Sequence, residues 1–226
     1  MVAPEYTAVR VAEPPALDGD WDGTGWREAN TLSVDRFRAE GSSHTPETIA
    51  RVLYVADALY VAFRVEDQYV RCVTTDYQGP VYRDACVEFF VEPKPGRGYF
   101  NFEFNCGGTM LLRHITDPRR EGGDLAGYSN VPWQLASKID VYHSMPPTVD
   151  PEIADPVTWL VQYRIPLDLF GPYVGPVANP IAQTWRGNFY KCAENNSHPH
   201  YASWSPIEGP LNFHQPQFFG VIKFAE

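Results

Sequence analysis

Hydrophobic and polar residues alternate along much of the chain with the period of an extended strand, so that side chains two apart share a face. TIARVLYV (48–55) and ALYVAFRVED (58–67) flank a short turn around Asp57 and predict a hairpin with Leu59, Val61, Phe63 and Val65 on one face. ACVEFFVEP (85–93) and YFNFEFNCGG (99–108) flank KPGRG and predict a second hairpin. Further strands are expected at TMLLRHI (109–115), TWLVQYRIP (158–166), WRGNFYKCA (185–193) and FFGVIKF (218–224). Helical spacing is scarce, and 21 Pro and 17 Gly punctuate the chain. Short strands at this density predict an all-β fold: an antiparallel two-sheet β-sandwich of jelly-roll type, with few or no helices and residues 1–226 as one domain. The stretch 117–155, richer in Pro, Gly and polar residues, reads as a long excursion with one or two irregular strands, KIDVYH among them.

The second hairpin poses the functional question. Phe100, Phe102 and Phe104 fall on one side of their strand, with Ala85, Val87, Phe89 and Val91 joining them from the other, and this side reads as core. The opposite side carries Asn101, Glu103 and Asn105, residues that gain little in an ordinary wet strand. With Glu92 opposite Tyr99, Phe90 faces Asn101, Glu88 faces Glu103 and Cys86 faces Asn105. Like charges directly opposite destabilise a ladder, so something should compensate the two glutamates: Arg64, a metal ion or a hydroxylated ligand. Arg186, Asn188 and Tyr190 alternate with Trp185, Gly187 and Phe189 to give a second polar strand. Carboxylates, amides and guanidinium groups on a flat face form a donor and acceptor array suited to vicinal sugar hydroxyls. Tyr82, Tyr201 and Trp204, close in sequence to these strands, are the candidate rings for stacking on a pyranose.

Composition narrows the ligand. A formal net charge of -10 would repel a phosphate backbone, which argues against nucleic acid. No apolar run approaches the roughly 20 residues of a membrane span, and the start, MVAPEYTAVRV, lacks a signal-peptide pattern, which leaves the compartment open. Cys72, Cys86, Cys106 and Cys192 show no sequence spacing of a zinc site and could pair in three ways. Cys106 shares the aromatic side with Phe104, which predicts a buried free thiol.

LDGDWDGTGWREA, ALYVAFRVED, VYRDACVEFFVEP, WRGNFYKC, HYASWSPI and FHQPQFFGVIKF, in this order and spacing, resemble the family 9 carbohydrate-binding modules over nearly the whole chain. The resemblance implies a two-sheet sandwich related to DOMON domains that holds glucose, cellobiose or glycan ends between aromatic rings. Tyr82 stands where the xylanase-attached modules place one clamp tryptophan, and Glu88 matches their sugar-binding glutamate. Trp204 is the candidate for the second ring. Structural calcium in several family members makes Asp18 and Asp20 candidate ligands, although both also suit a turn. The resemblance implies no required cofactor, and it points to an extracellular or periplasmic setting.

Two alternatives follow from the same residues. Glu88 and Glu103 across a ladder could meet the ~5–5.5 Å separation of a retaining glycoside hydrolase. Met110 and His114, on one face of a strand, could serve as axial ligands if the chain were a haem-binding DOMON-type electron-transfer domain.

Overall fold

A computed structural model describes residues 3–177, 180–181 and 183–225. Its strands are β1 (Glu5–Arg10), β2 (Thr31–Ser33), β3 (Arg36–Phe37), β4 (Glu47–Tyr54), β5 (Ala58–Asp67), β6 (Val70–Cys72), β7 (Cys86–Glu92) and β8 (Tyr99–Asn105). The second half of the chain adds β9 (Met110–Glu121), β10 (Asp124–Asn130), β11 (Asp140–His143), β12 (Val149–Ile153), β13 (Val157–Pro166), β14 (Thr184–Ala193), β15 (His200–Ser203) and β16 (Gly220–Ala225). The α-helices, Trp133–Ala136 and Gly171–Val174, are single turns.

Strands β10-β9-β8-β7-β14 form one antiparallel layer, and β4-β5-β13-β11 form the other. The layers face each other across a common core in which Phe104 meets Tyr163 at 4.4 Å and Phe63 meets Phe189 at 6.0 Å between ring centroids. Period two explains the core: Phe89, Phe102, Phe104 and Phe189 point inward from one layer, and Val61, Phe63 and Tyr163 from the other. The fold is thus the expected β-sandwich, with one refinement. The two layers join in a continuous ladder through β16 and β1, and β1 pairs in parallel with both β16 and β4. Parallel neighbours need a long crossover, and the body of the chain between the two termini supplies one for β1 and β16.

The β7–β8 hairpin has the register expected from the sequence, with Glu88 opposite Glu103 and Phe90 opposite Asn101. The stretch after residue 117 differs from expectation. Instead of an irregular excursion, β9 runs on to Glu121 and returns as β10, a hairpin turned at Gly122 and Gly123, whose φ angles of 61° and 95° suit glycine. Its outer half projects beyond the core, with Arg119, Arg120 and Glu121 exposed, so no alternation of burial marked it in the sequence.

Candidate functional site

Glu88, Asn101 and Glu103 share the outer face of the β7–β8 hairpin, yet they are buried: Glu88 is 2% exposed and Glu103 4%. They are covered from two sides. The β9–β10 hairpin brings Leu111, Arg113, Arg120, Asp124 and Leu125, and the loop after β15 brings Asn212, Phe213 and His214. The result is a cleft of about 550 Å³ floored by the two glutamates, with Tyr82 and Tyr201 on its wall.

The polar groups of the floor are only partly satisfied. Asn101 Nδ2 donates to Glu103 Oε1 at 2.7 Å, and its Oδ1 accepts the backbone N–H of Arg113 at 2.7 Å. Cys192 Sγ donates to Glu88 Oε1 at 3.2 Å and lies 3.4 Å from the Tyr82 carbonyl. Glu103 Oε2 is buried without a protein hydrogen-bond partner among the described residues. Burial, and then the opposing Glu103 charge, hold the Glu88 carboxyl well above the usual carboxylate range. Burial likewise pushes Glu103 up to about 7, against the pull of Asn101 and Arg113. His214 moves the other way, lowered to about 3 because burial and the nearby arginines disfavour its charged form.

The rings are positioned from beneath. Phe213 stacks on Tyr190 at 4.2 Å with an 11° interplanar angle, and the Tyr190 hydroxyl donates to the Phe213 carbonyl at 3.0 Å. Tyr201 meets the Phe213 edge at 6.4 Å. Arg113 lies over Tyr128, 4.4 Å from the ring centroid, and its Nε is buried without a hydrogen-bond partner among the described residues.

Among the sequence candidates, the structure brings Tyr82, Glu88, Asn101, Glu103 and Tyr201 together around one cleft. The others lie elsewhere. Asn105 shares the glutamate face but is fully buried, holding the Thr74 carbonyl and Asp84. Asn188 is locked to the backbone of Ser205, and Tyr190 is a buried support rather than part of the wall. Arg186 sits at the far end of the face, opposite Glu92, where it donates to the carbonyls of Pro216 and Phe219. Arg64 belongs to the other layer and pairs with Glu66, so it does not compensate the glutamates. Trp204 packs against the core beside Phe189, at 5.7 Å, with its ring over Gly220. Asp18 and Asp20 are exposed turn residues, each accepting the backbone N–H two positions on. Met110 and His114 both pack into the core side, with the His114 ring against Phe100 and Tyr173.

Arg113, Arg120, Asp124, Phe213 and His214 were not among the candidates. The glycine pair at 122–123 was the available signal for the hairpin that carries three of them. For the loop carrying Phe213 and His214, periodicity offered none.

The outer face of the sandwich thus gathers buried carboxyls, an amide and guanidinium groups beside aromatic rings, a set of donors, acceptors and apolar faces that suits a polar ligand. The family profile for carbohydrate-binding family 9 matches residues 26–224, and the chain belongs to that family. Membership assigns it non-catalytic carbohydrate binding rather than glycoside hydrolysis.

Among solved structures, a protein of Bacteroides uniformis proposed to bind carbohydrate is similar with a TM-score of 0.85 at 26% identity, covering 99% of this chain and 100% of that one. A family 9 carbohydrate-binding module of Caldicellulosiruptor kristjanssonii in complex with cellotriose is similar with a TM-score of 0.65 at 14% identity, covering 98% and 93%. The family 9 module of that organism in complex with glucose gives 0.63 at 14% identity, covering 98% and 96%. No curated protein matches the chain. Among the described residues, no helix is long and apolar enough to cross a membrane.

Proposed function

We propose that the cleft between the β9–β10 hairpin and the Phe213 loop is the carbohydrate site, and that it takes a mono- or oligosaccharide, of glucan or xylan origin or the end of a glycan. The observation that carries this reading is the unpartnered, buried Glu103 Oε2 beside Glu88, within a cleft lined by Tyr82, Tyr201 and Phe213. A sugar hydroxyl would supply the missing donor, and a buried carboxyl is worth most to a ligand that excludes water from it. Asn101 and Arg113 add further partners, while the rings provide apolar contact for the pyranose faces. Glucose and cellotriose, the ligands in the two similar family 9 structures, are the natural first ligands.

The reading requires no cofactor. Structural calcium, if bound at the LDGDWD turn, would use Asp18 and Asp20, but one oxygen of each already closes the turn on a backbone N–H. We also read the chain as one sandwich unit, since the family match spans both layers and they share a core.

Titration calorimetry with glucose, cellotriose and xylo-oligosaccharides tests the proposal. Saturable heat that disappears in Phe213→Ala, with the fold intact, is the expected result. Binding unchanged in both Phe213→Ala and Glu88→Gln would overturn it.

A further inference from the structure

The floor of the cleft holds a second chemistry, in which Glu88 stands beside two thiols. Cys86 and Cys192 stand directly opposite each other across the β7–β14 ladder. Glu88 follows Cys86 by two positions on the same strand and so shares its face. A thiol sulfur from each cysteine and a carboxylate oxygen of Glu88 lie within 4.8 Å of one another, and all three side chains are buried. Among the described residues no other group of three such side chains comes as close.

We propose that Cys86, Cys192 and Glu88 form a binding site for a thiophilic divalent cation, with zinc as its representative. Tetrahedral zinc with sulfur ligands at ~2.3 Å sets its donor atoms about 3.8 Å apart. Cys192 Sγ and Glu88 Oε1 already stand 3.2 Å apart, so assembly asks only for small side-chain adjustments. The ladder fixes both strands, and the ligands are therefore preorganised in the way that strand-borne sites allow. Two thiolates select zinc over calcium or magnesium, which prefer all-oxygen shells. On binding, each thiol and the Glu88 carboxyl release their protons to solvent as their bonds to the metal form.

Of these three side chains, Glu88 and Cys192 line the cleft. Glu103, directly opposite Glu88, points an unpartnered oxygen into the same buried floor. A cation there would offset the repulsion that two facing carboxylates otherwise create. Cys72 and Cys106, buried in the core, serve as internal controls.

The test is a cobalt titration of the reduced, chelator-treated full chain, followed by displacement with zinc. The expected result is a near-ultraviolet thiolate-to-cobalt charge-transfer band with visible bands of a tetrahedral ion, saturating at one equivalent and erased by one equivalent of zinc. Cys192→Ser should abolish the band, and Cys72→Ala should retain it. Glu88→Gln keeps both thiols and is nearly isosteric, so it decides the matter if a cysteine variant fails to fold; it should weaken zinc at least tenfold. No charge-transfer band, a band that survives Cys192→Ser, or zinc affinity unchanged in Glu88→Gln would overturn the proposal.

Discussion

Two buried ionisable clusters lie on opposite faces of the β8-β7-β14 layer, and they are built on opposite principles. Inward, Lys191 Nζ lies 3.3 Å from Asp67 Oδ2 and donates to His200 Nε2 at 2.7 Å. Asp67 also takes His44 Nε2 at 2.8 Å and the Trp159 indole N–H at 3.1 Å, while His200 Nδ1 donates to the His198 carbonyl at 2.9 Å. Burial alone would raise the Asp67 acid, but Lys191 and His44 outweigh it and hold the carboxyl well below its usual range. Outward, Glu88 and Glu103 face each other with one oxygen unpartnered, and burial raises both. A closed network that joins the two layers serves the fold, whereas an open one at the floor of a cleft leaves an acceptor that a ligand can complete.

The largest effect should come from breaking the closed network. Asp67→Ala strands Lys191 in the interior and should cost roughly 3–5 kcal/mol of stability in denaturant unfolding, without changing the sugar affinity of the folded protein. Trp204→Ala sharpens the same division. The ring packs on the core, so its truncation should lower stability by roughly 2–4 kcal/mol while ligand affinity stays within twofold. A loss of binding without loss of stability would return Trp204 to the site.

On the open side the signs reverse. Glu88→Gln should cost roughly 1.5–3 kcal/mol of sugar-binding energy by calorimetry, yet leave the melting temperature unchanged or higher, because it removes a poorly solvated acid. The smallest effect is in pH. His200, lowered to about 3 in the fold against a normal value near 6.5, binds its proton more readily when unfolded, so its contribution is full above about 6.5 and declines toward pH 3. Asp67, also depressed, adds a steeper loss below about pH 4. Glu103 acts oppositely: raised to about 7, it favours the fold below about pH 4.3 and loses that advantage as the pH rises through 7. In chelator-containing buffer, the stability of Glu103→Gln relative to the parent should therefore rise by roughly 1–3 kcal/mol between pH 4 and 8.

These contrasts mark what the sequence could reveal. Period two exposed the β7–β8 hairpin, its register and its glutamate pair, because alternation is local and strict there. It could not tell that the glutamates are buried, since their cover comes from the β9–β10 hairpin, whose outer half shows no alternation, and from the Phe213 loop, far away in the chain. Arg64, Arg186 and Asn188 have the right chemistry and strand phase, but the first lies in the other layer and the other two are held by loop backbone. Trp204 follows the same lesson: proximity in sequence to a polar strand did not place its ring on that strand's face. Lys191 and Cys192 are neighbours that serve different clusters, a consequence of alternation that only the pairing partners make visible.

The central claim is that the open cluster is the ligand site, and backbone amide chemical-shift mapping with saturating glucose or cellotriose tests it most directly. The account predicts that the largest shifts fall on Tyr82, Glu88, Asn101, Glu103, Arg113, Tyr201 and Phe213, while Arg64, Asp67 and Trp204 stay near their unliganded positions. Shifts centred on Arg64 or Trp204, with the amides of Glu88 and Glu103 unmoved, would contradict it.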